Sequence, residues 1–197
     1  MKKKTSKIQF HLDETTHLVM KDQKHWVSKV DAKARYDTHN NGEDNLEYIA
    51  YQKRIFDDFI GIYLKPGTAM DYGCGEGAVL KQFIPNLALY DLFYHNDPNI
   101  LEQTYDNIIL IEVVEHFEQP MADFKRLEAL LNPGGRLIIQ TQFYEDFDNI
   151  HQWWYVRDET HVAFYHLKTF EVICERLGFK LIYNDNKSRV VLEKPVL

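Results

Sequence analysis

Three observations predict an α/β protein built on a doubly wound, mostly parallel sheet with an antiparallel hairpin at its C-terminal end. Strand and helix signals alternate from Thr68 onward. The run Asn107 to Ile111 reads Asn-Ile-Ile-Leu-Ile, apolar on both faces, as a central parallel strand needs. A glycine-rich turn, Gly73 to Gly77, stands between a strand and a helix. Helices on both faces of one sheet satisfy that pattern.

The elements follow in order. Ile8, Phe10 and Leu12, then Leu18 and Met20, alternate weakly, so residues 1–43 form an arm or small hairpin and residues 44–197 the α/β domain. Asp44 to Ile60 is an amphipathic helix, with Leu46, Ile49, Ala50, Phe56 and Ile60 on one face. Asp44 is its expected N-cap, with Glu47 three residues on. Pro66-Gly67 breaks the chain. Thr68 to Tyr72 is a strand, Ala78 to Phe83 a short helix and Leu87 to Tyr90 a second strand. Pro120 to Leu131 is a helix, with proline in its first turn and Asn132-Pro133-Gly134-Gly135 at its end. Arg136 to Phe143 is a strand, and Lys168 to Leu177 a helix stopped by Gly178. Asn184-Asp185-Asn186-Lys187 joins two last strands, Phe179 to Tyr183 and Arg189 to Glu193.

Composition narrows the class. The chain has 197 residues, and a net charge of −7 weighs against nucleic acid, whose affinity comes largely from phosphate neutralisation. No apolar run approaches the roughly 18 residues of a membrane span, and no apolar stretch follows the basic N-terminus as in a secretory signal. Two cysteines, Cys74 and Cys174, fit a reducing cytosol, so a cytoplasmic location is expected. No metal is expected either: there is no C-x-x-C pair, and the nine histidines show no H-E-x-x-H or comparable spacing.

The glycine-rich turn carries the chemistry. Asp71-Tyr72-Gly73-Cys74-Gly75-Glu76-Gly77-Ala78 lets a ligand lie against bare backbone. Gly73, Gly75 and Ala78 also satisfy the dinucleotide fingerprint. A carboxylate at Asp71 would oppose a pyrophosphate and suits a cationic ligand, such as the sulfonium and ammonium of S-adenosylmethionine. Asp91 ends the next strand, where a carboxylate accepts from ribose hydroxyls; both cofactors share that feature.

With these residues in place, the chain resembles class I S-adenosylmethionine-dependent methyltransferases. Asp71 to Gly77 matches that family's first motif. Tyr105-Asp106-Asn107-Ile108-Ile109-Leu110-Ile111-Glu112-Val113-Val114-Glu115-His116 resembles its fourth-strand motif, and Leu130-Leu131-Asn132-Pro133-Gly134-Gly135-Arg136-Leu137 the approach to its fifth strand. The likeness runs from about Gly67 to the C-terminus, and the chain is similar to the bacterial branch near the quinone-biosynthesis O-methyltransferases. Some bacterial relatives share Arg35 to Asn41 behind a cysteine zinc ribbon that this chain lacks. The resemblance implies a Rossmann-like fold and a cofactor site at Asp71, Tyr72, Gly73, Cys74, Gly75, Asp91, Leu92, Glu112 and Val113, with S-adenosylhomocysteine as product. Tyr36 and His39, before the first long helix, would close over it. One departure stands out. Only Leu92 to Thr104 separates Asp91 from Tyr105, enough for one crossover of at least about 10–12 residues and not two. The family's third strand is expected to be missing, with adenine contacts passing to Leu92, Phe93 and Asp97 or to the N-terminal arm.

Ligands of open α/β sheets bind beyond the carboxyl ends of the strands. The resemblance places His116 near the transferred methyl, as the expected base; histidine is the natural base near neutral pH. Tyr144 to Tyr165 is far longer than the roughly 2–6 residues of a plain connection and rich in aromatic residues, as in a lid or a small satellite core. Within it, His161 and Tyr165 are the further catalytic candidates. The expected reaction is methyl transfer to an oxygen, nitrogen or carbon of a small molecule. The alternatives are a nicotinamide oxidoreductase, a non-catalytic cofactor-binding partner subunit, or a methyltransferase acting on protein or tRNA.

Overall fold

A computed structural model describes residues 8–38 and 41–196. Six strands form the main sheet: β3 (Ala69–Tyr72), β4 (Ala88–Tyr90), β5 (Tyr105–Ile111), β6 (Leu131–Gln140), β8 (Lys180–Asn184) and β9 (Arg189–Glu193), in the order β4-β3-β5-β6-β9-β8. The pairings β4-β3, β3-β5 and β5-β6 are parallel; β9 runs antiparallel to β6 and β8 antiparallel to β9. This is the doubly wound sheet with a terminal hairpin that the sequence predicts. Asp185 shapes the hairpin turn, its Oδ1 accepting from the N–H groups of Lys187, Ser188 and Arg189.

The central strand explains the layering. Ile108 and Leu110 face one side of the sheet and Ile109 the other, all at 0% exposure. On the first side lie α4 (Pro120–Ala129) and α5 (Leu167–Leu177), burying Phe124, Leu127, Phe170 and Ile173. On the second lies α2 (Leu46–Ile55), which continues through a π turn (Phe56–Ile60) into α3 (Gly61–Tyr63).

Sequence reading misplaces the face of α2. Asn45 is the cap, accepting from the N–H groups of Glu47 and Tyr48, one residue later than the expected Asp44. Leu46 is 78% exposed and Ala50 exposed, while Gln52, Ile55, Phe59 and Ile60 turn inward. The π turn inserts extra chain per turn, so Phe59 and Ile60 both reach the sheet.

Beyond β4 there is no further strand among the described residues, as the short gap predicts. The segment to β5 holds a turn closed by the Asp91–His95 bridge and a 3₁₀ helix, Pro98–Glu102. The short helix expected from Ala78 is a 3₁₀ turn, Val79–Gln82.

The N-terminal residues form a hairpin of β1 (Phe10–Asp13) and β2 (Leu18–Lys21). Its partner is β7 (Ala163–Phe164), inside the aromatic loop, giving a second sheet ordered β1-β2-β7. Val19, Tyr144, Ile150, Tyr155, Val156 and Phe164 make a core of their own beneath it. The helix α1 (Lys29–Tyr36), capped by Ser28, leads from this sheet back to the main domain. No described helix is long and apolar enough to cross a membrane.

Candidate active site

A cleft of about 710 Å³ opens at the carboxyl ends of β3, β4 and β5. Its floor is the glycine-rich turn. The N–H groups of Gly73 and Cys74 donate to Tyr90 O at 2.7 and 3.2 Å, tying the turn to the end of β4. Gly73 has φ +83°, and a Cβ there would stand 2.5 Å from Val113 Cγ2, so the end of β3 and the turn after β5 touch through bare backbone. Gly75, at φ +64°, has nothing within 4 Å of such a Cβ.

Asp91 joins the two turns of this half. Its Oδ2 accepts from the N–H of Gly75 at 3.0 Å, and its Oδ1 from those of Phe93 and Tyr94 at 2.8 and 3.2 Å. The carboxylate thus shapes the floor of the cleft as well as lining it. Asp71 lies behind the rim at 4% exposure, where burial and the nearby Asp91 charge push its carboxyl up to about 7. Tyr72, Gly73, Cys74, Gly75 and Leu92 line the cleft. Burial raises the Cys74 thiol well above its ordinary range, which removes it as a nucleophile. Phe93 lines the cleft too, whereas Asp97 caps the 3₁₀ helix by accepting from Asn99 N and is not part of the lining.

The roof comes from residues that sequence reading passed over. Tyr48, Tyr51 and Gln52 of α2 line the cleft, with Gln52 Nε2 donating to Tyr48 Oη at 2.8 Å. Their spacing, one helical turn apart, is the signal that could have marked them.

At the end of β5, Glu112 has φ +55°, an uncommon conformation for a residue with a side chain. This aims the carboxyl at Tyr155, whose hydroxyl lies 2.8 Å from Glu112 Oε2 and 2.5 Å from Glu115 Oε1. One phenol proton cannot satisfy two carboxylates. Burial and the neighbouring Glu115 raise Glu112 to about 8, and burial raises Glu115 to about 7.

His116 and His161 both line this end of the cleft, with ring centroids 5.0 Å apart. His116 Nδ1 lies 3.1 Å from Thr160 O, and His161 Nδ1 lies 2.9 Å from Tyr155 O. A carbonyl only accepts, so His161 Nδ1 carries the hydrogen and its Nε2 keeps the lone pair. Burial pushes the His116 imidazole down, and burial with the adjacent His116 takes His161 to about 3. Both shifts favour the neutral imidazole. Tyr36 also lines the cleft; its hydroxyl lies 3.1 Å from His116 Nδ1, and its ring meets Phe93. His39 lies outside the described residues.

Tyr165 is corrected. Its ring is wholly buried, stacked on Phe170, and its hydroxyl donates to Val114 O at 2.8 Å. It holds the turn after β5 from beneath and does not line the cleft.

Residues 45–184 match the family model described as a methyltransferase domain. No curated protein matches the chain. Among solved structures, 1,6-didemethyltoxoflavin-N1-methyltransferase from Burkholderia thailandensis, solved with 1,6-didemethyltoxoflavin and S-adenosylhomocysteine bound, superposes with TM-score 0.58 at 11% identity, covering 95% of this chain and 99% of that one. An O-methyltransferase family protein from the same organism gives TM-score 0.55 at 12% identity, over 83% of this chain and 62% of that one. Human N-acetylserotonin methyltransferase, solved with S-adenosylmethionine, gives 0.53 at 12%, over 76% and 55%. The chain therefore spans less than two thirds of the length of the last two. At these identities the likeness establishes the fold.

Proposed function

The chain belongs to the methyltransferase-domain family, and we propose that this enzyme transfers a methyl group from S-adenosylmethionine to a small-molecule acceptor. The observation that carries the reading is the cofactor half of the cleft. A backbone-lined turn is held by Asp91, with a second buried carboxyl, Asp71, behind it. Two acidic groups at that turn favour a ligand with positive charge and oppose a pyrophosphate.

S-adenosylmethionine supplies a methyl already activated on a sulfonium. The protein's part is to orient the two reactants and keep water out. Gly73 and Gly75 let the cofactor lie on the backbone, with Val113 against Gly73 and Tyr48, Tyr51 and Gln52 as further lining. The acceptor then sits against His116 and His161, with Tyr36 and the aromatic loop around it. An acceptor oxygen or nitrogen must give up its proton as its bond to the methyl forms, and His116 is the residue assigned to receive it, since His161, held at about 3, is a poor base near pH 7.

Calorimetric titration with S-adenosylmethionine, S-adenosylhomocysteine and NAD tests the reading. The first two are expected to bind and NAD not to. Asp91→Ala removes a charged acceptor from three N–H groups. At about 1.5–3 kcal/mol for a bond to a charged group, it should weaken both ligands by at least about tenfold. Binding of NAD alone would move the chain to another class of enzyme.

A further inference from the structure

We propose that Glu115, His116 and His161 form a site for a divalent transition-metal ion, Zn²⁺ or a close substitute, at the acceptor end of the cleft. One ligand atom from each of these residues lies within 4.8 Å of the other two. The nitrogen and oxygen ligands of such an ion stand about 2.0–2.2 Å from it, so binding would draw the three side chains together by roughly 1 Å.

Two independent observations raise this above a chance cluster. The first is the state of the imidazoles. His161 Nδ1 lies 2.9 Å from Tyr155 O, which can only accept, so its Nε2 is left as a lone pair; His116 Nδ1 lies 3.1 Å from both Thr160 O and the Tyr36 hydroxyl. Hydrogen bonds of this kind orient the rings, which is how proteins prepare histidine to bind metal. The second is Glu115. Its side chain is 0% exposed, Oε1 is tied to the Tyr155 hydroxyl, and Oε2 is buried with no hydrogen-bond partner among the described residues. Leaving such an oxygen unsatisfied costs about 1–3 kcal/mol or more. A cation at this point would satisfy it. Glu112, on the other side of the Tyr155 hydroxyl, brings a second carboxyl to the same spot.

The donor set decides the ion. Two imidazole nitrogens and one carboxylate suit zinc, iron, cobalt or nickel, whereas magnesium and calcium prefer all-oxygen sites. His116 and His161 both line the cleft, so the open coordination position faces the acceptor. There an ion would take an acceptor hydroxyl and lower its pKa as it does that of bound water. That last consequence rests on the methyltransferase reading; the metal site does not.

The test uses the full chain, stripped with a chelator and titrated with Co²⁺ as a spectroscopic stand-in and with Zn²⁺ and Mg²⁺ by calorimetry. One Co²⁺ per chain is expected, with the visible absorption of a low-coordinate nitrogen–oxygen site. Zn²⁺ should displace it and Mg²⁺ should not. His161→Gln and Glu115→Gln should each weaken Co²⁺ binding at least about a hundredfold, the upper range for loss of support at a metal site. Affinity for S-adenosylhomocysteine serves as the fold control and should stay at the wild-type value. Failure of the wild-type protein to bind Co²⁺ or Zn²⁺ stoichiometrically would overturn the proposal, as would full binding retained in both variants. Metal binding without S-adenosylhomocysteine binding would uphold the site and sink the methyltransferase reading.

Discussion

The two halves of the cleft are held together in opposite ways. In the cofactor half the bonds are backbone-centred and close in sequence: Gly75 donates to Asp91, 16 positions on, and Gly73 to Tyr90. In the acceptor half the bonds join side chains to distant chain. Tyr36 meets His116 across 80 positions, Arg35 pairs with Asp158 across 123, and Lys21 Nζ donates to Glu159 O across 138. The comparison teaches that one half depends on what conformation its backbone can adopt, and the other on a small core that brings remote segments together.

The harshest way to break that comparison is Phe164→Ala. Phe164 is 0% exposed, pairs with Val19, and its ring meets Phe10, Trp153, Tyr155 and His161. Its loss should cost about 3–5 kcal/mol of stability by urea denaturation. Turnover should collapse with the acceptor half, while S-adenosylhomocysteine affinity measured below the unfolding range stays close to wild type. Equal loss of both would mean that the halves form a single unit.

Gly73→Ala tests the other half. The φ of +83° disfavours any Cβ by about 1–2 kcal/mol, and the overlap with Val113 Cγ2 adds to it. S-adenosylhomocysteine affinity should fall, and the tryptophan near-ultraviolet signal of the aromatic loop should persist.

A smaller, graded effect comes from pH. The Asp71 carboxyl stands at about 7 in the folded chain against 3.8 ordinarily, so between those values the folded state holds a proton that the unfolded state has released. Stability therefore falls as pH rises through that window. Urea midpoints of the ligand-free protein should drop from pH 5 to pH 8, and Asp71→Asn should flatten part of that slope. Arg35→Ala should be the mildest change. The half-exposed pair with Asp158 at 3.2 Å is worth at most about 1 kcal/mol, so a small drop in melting temperature with unchanged cofactor affinity is expected.

Much of the glycine-rich half of the cleft was legible because its signals are local. Glycines between a strand and a helix, a carboxylate ending the next strand and an apolar run for β5 each sit within a few residues. Even the truncated edge was readable, since the length from Leu92 to Thr104 limits what it can hold. The α2 face was misread because its inward residues include Gln52 and Tyr48, which a hydrophobicity pattern counts as outward, and because a π turn shifts the register. Tyr165 drew attention beside His161, yet strand β7 and the chain after it turn that ring into the core under α5. Glu115, His116 and His161 could not be seen as one cluster, because no local spacing relates them.

What the sequence by itself determined, then, is the sheet, where most of its strands fall along the chain and the glycine-rich turn after β3. Those depend on backbone preference and short-range alternation, which a reader can count along the chain. The tertiary structure alone decided that the N-terminal hairpin pairs with β7 and that His161 arrives beside His116 and Glu115. Such contacts are set by which buried surfaces fit after long loops close, and the cost of closing a loop grows only slowly with its length. Sequence distance therefore says little about which of these meetings will occur.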